Sequence, residues 1–296
     1  MLAFVFAILW GMSVALASPT AVSDGLNNSP VCGTLVNKET YAIAKKVLAE
    51  NNVTHVPRAE NVARGPTTIN VYFHVICVDQ TIAGGYISDS DITTQINVLN
   101  TFFNPIGLSF RIAGIDRTQN GNWFAFGGNP NSLFMVQMKQ ALRRGDVQDL
   151  NIYSVGSAEE SGGFMSHGTF PWDYQSNPSN DGVTFTYSTL PGGGSPILTK
   201  ARLARQVAVH AVGHWVGLLH TFEGGCNGGD MVDDTPTEAS AASGCPIGRD
   251  SCARPGLDPI DNFMDYTDDY CKTRFTKGQY NRLAQTVNYF RGINLF

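Results

Sequence analysis

The chain reads as an α+β fold, and three observations carry that reading. Strand-length apolar runs alternate with helix-period segments ahead of a histidine-bearing helix. After that helix the chain turns irregular and cysteine-rich. Its 31 glycines and 14 prolines in 296 residues argue for many turns and against a helical bundle.

Length and charge narrow the options further. A chain of 296 residues, 43% hydrophobic, can bury a sizeable core. A formal net charge of −5 leaves no electrostatic footprint for nucleic acid. Residues 1–17 read as a secretory signal: Leu2 to Leu16 is almost wholly apolar, and Ala15-Leu16-Ala17 offers small residues for cleavage before Ser18. The usual positive charge at its start is missing. The run is shorter than the ~20 residues a spanning helix needs, and no other stretch could span, so no membrane partner is expected. A secreted, soluble protein follows, with six cysteines available for disulfides and sequons at Asn27 and Asn52 available for glycosylation.

The elements follow in order. Residues 18–66 form a candidate pro-segment, with an amphipathic helix over Glu39 to Glu50 and basic processing sites at Arg58 and Arg64. Thr68 to Val78 is β-rich and reads as a buried strand, in which His74 is a strand residue and not a ligand. Ser88 to Asp91 offers helix caps, and Ile92, Ile96, Leu99 and Phe103 continue at helical spacing until Pro105 and Gly107 stop them. Leu108 to Ile115 is a second strand. Asn120 to Asn131, with Trp123, Phe124 and Phe126, reads as a loop. Ser132 to Arg144 is a second helix and Asp149 to Val155 a third strand. Ser161 to Phe170 is a glycine-rich edge strand with His167 at the surface, and Asp181 to Thr189 is the strand beside the cleft. Gly192 to Gly194 leads into a helix from Thr199. The chain after Gly217 is turn-rich until Thr276 to Arg291, a C-terminal helix.

The chemistry sits between His210 and His220. His210 and His214 are four apart, so a helix presents both imidazoles on one face on consecutive turns. Gly217 can adopt a left-handed conformation, end the helix and let His220 swing back. Three imidazoles with an open fourth position make a catalytic-type zinc site. The spacing H-x-x-x-H-x-x-G-x-x-H is the metzincin zinc signature with one change: Ala211 stands where the signature has glutamate. That glutamate is the general base. Alanine leaves the ligands intact and carries no proton, so zinc binding is expected with proteolysis reduced by roughly 10²–10⁴-fold or more.

Asn262-Phe263-Met264-Asp265-Tyr266 resembles the metzincin Met-turn, with Met264 as an apolar pedestal. Tyr266, two residues on, can point its hydroxyl at the metal and stabilise an oxyanion. Together with His220-Thr221-Phe222-Glu223-Gly224-Gly225-Cys226 and Gly229-Asp230-Met231-Val232-Asp233-Asp234-Thr235-Pro236, these motifs resemble the pappalysin family of metzincins. The likeness is strongest to secreted fungal extracellular metalloproteases and spans most of residues 67–296.

The resemblance implies a twisted, mostly parallel sheet with an active-site helix. An upper subdomain to about residue 217 and an irregular, disulfide-stapled lower one over 218–296 are split by the cleft. It implies His210, His214 and His220 as zinc ligands, and Cys226–Cys252 with Cys245–Cys271 as an interlaced disulfide pair. Spacing alone leaves three connectivities open. Asp230, Asp233 and Asp234 offer oxygens to calcium, and equally make a solvated acidic turn. Cys32 has two readings: a fourth zinc ligand in a latent form, as in some members of the family, or a Cys32–Cys77 disulfide. Protein or peptide substrates follow from the family; the oligomeric state does not. Two functions result, a secreted zinc endopeptidase disabled at Ala211 or a zinc-binding pseudopeptidase that binds peptides or proteins without cutting.

Overall fold

The computed structural model describes residues 32–50, 67–156, 163–191, 206–253 and 255–295. The signal segment, Asn27, Asn52, Arg58 and Arg64, and the glycine run at 192–194 lie outside them.

The described chain begins with helix α1 (Lys38–Glu50), then strand β1 (Thr67–Cys77), α2 (Asp89–Phe103), β2 (Leu108–Gln119), α3 (Gly121–Phe126), α4 (Leu133–Leu142) and β3 (Leu150–Val155). The short β4 (Ser166–Gly168) and β5 (Val183–Thr186) follow, then α5 (Val207–Trp215) and α6 (Lys277–Arg291). The five strands form one sheet ordered β2-β1-β3-β5-β4, parallel throughout except for the antiparallel β4–β5 pair. The mixed α/β architecture and mostly parallel sheet are those expected.

Both faces of this sheet are covered, so its central strands read as near-continuous apolar runs. On one face Val71, Phe73, Val75, Ile152, Val183 and Phe185 pack with α2 and α5 in the main core. On the other, Ile76, Tyr153 and Val155 meet Phe124 of α3 and Met135 and Met138 of α4. Each long helix starts where its cap falls: the side chains of Ser88, Ser132 and Thr276 accept backbone N–H bonds at the first turns of α2, α4 and α6.

Three expectations are corrected here. Residues 120–131 are not all loop, because the Asn120 side chain accepts from the N–H groups of Asn122 and Trp123 and starts α3. The strand beside the cleft is β4, since β5 is enclosed between β3 and β4. His167 on β4 is half-buried and not a surface residue. Its Nδ1 is enclosed, and burial, aided by Lys139, pushes its pKa down to about 3. His74 is a strand residue, as expected: its ring stacks on Tyr153, Nδ1 meets Asp116 and Nε2 meets Asn151.

From 218 to 276, regular structure among the described residues amounts to one short 3-10 turn at Gly225–Asn227 and an isolated bridge between Asn262 and Arg274. Two bridges staple this segment, Cys226–Cys252 and Cys245–Cys271, interlaced as the resemblance implied. Each spans 26 residues, which loop-closure entropy makes worth roughly 3–4 kcal/mol.

α6 closes the fold around a buried ion pair. Asp181 accepts from Arg291, from the Trp215 indole and from Thr169, while Arg291 Nε donates to the Trp215 carbonyl at the end of α5. Burial alone would raise Asp181, but the Arg291 charge and these donors reverse that and hold it below the usual carboxylate value. The stability it contributes is therefore present above the ordinary carboxylate pKa and is lost as pH falls through the lowered one. Arg291→Ala strands a buried carboxylate and should cost about 3–5 kcal/mol in urea unfolding. A cost below 1 kcal/mol would show that the pair is dispensable.

Candidate metal centre

α5 carries His210 and His214 on consecutive turns, and every residue from Val207 to Trp215 is buried. Its first N–H needs a partner outside the helix: Gln206 N donates to Asp269, a carboxylate itself paired with Lys272. At its other end Gly217 takes φ +103 and turns the chain. A Cβ there would also lie 2.3 Å from the Thr286 side chain on α6, so both backbone and space require glycine. The turn returns His220 to the other two rings.

The three Nε2 atoms converge. His214 Nε2 lies 3.2 Å from His210 Nε2 and 3.1 Å from His220 Nε2, and all three residues are at most 1% exposed. The opposite ring nitrogens face acceptors: His210 Nδ1 the Phe263 carbonyl at 2.7 Å, His214 Nδ1 the Leu218 carbonyl at 2.8 Å, and His220 Nδ1 the Glu223 carboxylate at 2.7 Å. Those contacts assign the ring proton to Nδ1 and aim each Nε2 lone pair inward. Burial holds all three rings neutral, driving His220 to about 3 and the other two well below the ordinary histidine value. Among the described residues His210 Nε2 meets no donor, only another ring nitrogen. Three buried lone pairs facing one point, one of them with no donor in reach, fit a cation, and three imidazoles suit zinc.

The Met-turn completes the floor. A Cβ on Gly213, between the two helical histidines, would lie 2.5 Å from Met264 Sδ. Glycine there lets the methionine pack directly under the helix. The turn hangs on α6, because Asn262 accepts from Met264 N and donates to Gln279, the partner of Thr276 in the capping box of that helix. Tyr266 places its hydroxyl 3.2 Å from His220 Nε2 and 3.4 Å from the Cys32 carbonyl. Phe222 stacks on the His220 ring and Phe170 meets His214 edge-on.

Two positions decide the chemistry. Ala211 is fully buried and brings no titratable group. Its carbonyl would lie 2.4 Å from a Cβ on Gly168, so that glycine sets how closely β4 approaches the helix. Cys32 is buried beside the three histidines, its Sγ 3.5 Å from His214 Nε2. It forms the described chain's one candidate metal-holding group with the three histidines, all four ligand atoms within 4.8 Å of one another. The Cys32–Cys77 disulfide is thereby excluded: both thiols are free, and Cys77 reaches instead toward the Thr118 carbonyl.

Asp230, Asp233 and Asp234 do not come together as a metal-holding group. Asp230 accepts from Val232 N and Gln279, and Asp234 from Gly278 N. The sequence alone assigned no role to Glu223, Gly168, Gly213 or Asn262. Glu223, three residues past His220, was the one with a readable signal.

A family model described as pregnancy-associated plasma protein-A, peptidase M43, matches residues 160–288. An extracellular metalloprotease of Pyricularia oryzae is 41% identical over 287 residues, covering 94% of this chain and 95% of that one. Another from Verticillium alfalfae is 43% identical over 258 residues, covering 85% and 87%. Among solved structures, a glutamate-to-alanine mutant of Tannerella forsythia promirolysin superposes with TM-score 0.69 at 25% identity, covering 90% of this chain and 95% of its own. Mature mirolysin of the same organism, with a cleaved peptide, gives 0.60 at 25% identity and covers 78% and 99%.

Replacing Glu223 with alanine should weaken zinc binding by roughly 10–100-fold in a chelator competition, with little change in the melting of metal-free protein. Unchanged zinc affinity would remove the carboxylate from the site.

Proposed function

The chain belongs to the pappalysin family of metallopeptidases, and from that premise we propose that it is a secreted zinc endopeptidase scaffold, held latent by Cys32 and deprived of its general base at Ala211. The convergence of three buried Nε2 atoms on one point carries this reading. The extracellular naming of the relatives supports secretion, and no helix among the described residues is long and apolar enough to cross a membrane.

A zinc ion bound here would supply Lewis acidity, polarising a scissile carbonyl and making water a stronger acid. The protein's own residues do the rest. The imidazoles stay neutral and correctly turned because their Nδ1 protons are committed to Phe263, Leu218 and Glu223. Met264 and Gly213 fix the height of the helix beneath them. The Tyr266 hydroxyl, kept protonated by burial, is placed to donate to a developing oxyanion. The step that lacks a residue is proton transfer, since the methyl group of Ala211 can neither accept nor deliver one.

The N-terminal segment reads as a pro-segment occupying the site. Gly33 N donates to the Ser166 carbonyl, and Thr34 exchanges two hydrogen bonds with Gly168, so the segment adds itself to the β4 edge. Its thiol stands where water or substrate would have to enter. The matched share of the chain is 90% with promirolysin and 78% with the mature form, a difference compatible with a part of the chain that processing removes.

Ala211 also favours a second reading, a pseudopeptidase that binds peptides or proteins in the same cleft. Casein digestion after processing, with zinc and with chelator, separates the two. Ala211→Glu should raise zinc-dependent cleavage by roughly 10²-fold or more over the chain as written. Comparable cleavage by both would mean another group moves the proton. No cleavage by either would favour the binder.

A further inference from the structure

The 32–50 segment touches the body at a second place besides the β4 edge. Tyr41, in the first turns of α1, inserts between Gly224 and Gly228, and its hydroxyl donates to the Gly229 carbonyl at 2.9 Å. A Cβ on either Gly224 or Gly228 would lie 2.6 Å from that hydroxyl oxygen. Gly224 sits at φ +75, so its backbone also favours glycine. Gly228, at φ −145 and ψ −52, is also in a conformation that suits glycine, and its missing side chain leaves the space that the Tyr41 hydroxyl fills.

The rest of the contact gathers around this point. Ala44, with Val36 and Tyr41, packs on Phe170, Leu219, Trp172 and Met231. Between these anchors Leu35 is 62% and Ile43 48% exposed, while Leu48 further along the helix is buried. The socket also lies on the loop that carries the metal site. Gly224 follows Glu223 directly and His220 by four residues.

We propose that residues 224–229 form a socket for a phenol side chain, and that Tyr41 in it is the latch that keeps Cys32 seated over the three histidines. The proposal rests on the reading of Cys32 as the group that masks the site. With the latch seated, the thiol cannot leave without the helix lifting as well. With it released, residues 32–34 on the β4 edge keep only the apolar contacts of the helix, centred on Ala44, to hold them in place.

Alkylation of the full chain in the presence of zinc tests this, with modification at each cysteine read by mass. Cys77, the other free thiol, serves as an internal reference for general loosening. Removing the hydroxyl in Tyr41→Phe should speed Cys32 labelling roughly fivefold, the equivalent of one net hydrogen bond. Tyr41→Ala, which loses the buried ring, should speed it roughly tenfold or more. Gly228→Ala should match Tyr41→Ala by filling the socket from the other side, and the double variant should label no faster than either single one. Cys77 should label at one rate throughout. Unchanged Cys32 rates in Tyr41→Ala and Gly228→Ala would overturn the latch. So would parallel acceleration of Cys32 and Cys77, which would make Tyr41 a residue of general stability. Rapid Cys32 labelling in the unmutated, zinc-loaded chain would instead overturn the masking reading, and the latch with it.

Discussion

Three neutral imidazoles aim their lone pairs at one buried point, and the fold is arranged to keep them there. Nε2 atoms 3.1 to 3.2 Å apart cannot satisfy one another when each ring carries its proton on Nδ1. In water such a cluster would open and hydrate. Here it is enclosed, so a cation is the partner that resolves the conflict. The outer acceptors make this a fixed arrangement: a carbonyl from the Met-turn, a carbonyl from the helix's own terminal turn, and one carboxylate. Each comes from a different piece of chain, so the geometry of the centre depends on tertiary structure and not on the helix alone.

That dependence explains features far from the histidines. Gly168, Gly213 and Gly217 mark the three directions from which other elements approach α5: the edge strand, the Met-turn and the C-terminal helix. α6 supports the centre twice, holding the Met-turn through Asn262 and Gln279, and the end of α5 through Arg291, Trp215 and Asp181. The two interlaced disulfides restrain an irregular stretch too poor in regular structure to fix His220, Met264 and Tyr266 by packing alone. The sheet contributes the β4 edge, on which residues 32–34 lie.

Much of this was legible in the residues. The long elements were, because β1, α2 and α6 combine a clear period with a capping or breaking residue at their ends. The histidine spacing and Gly217 were legible for the same reason: a helix and its stop impose a fixed geometry. What stayed hidden was long-range. Backbone carbonyls of Phe263 and Leu218 leave no residue signature. Which of two strands lies at the edge depends on pairing, which the alternation in 181–189 does not report. The short α3 falls below the length at which a period can be read. Even parity suggested joining Cys32 to Cys77, but parity carries no distance, and Cys32 lies against His214 instead.

The latent arrangement is the central claim: one sulfur and three ring nitrogens around a single ion. X-ray absorption at the zinc edge, on the full chain before any processing, tests it most directly. The account predicts three nitrogen scatterers and one sulfur at about 2.3 Å, with the sulfur lost on Cys32→Ser. A spectrum of nitrogen and oxygen scatterers alone in the unprocessed chain would contradict it, and would leave Cys32 a neighbour of the centre rather than part of it.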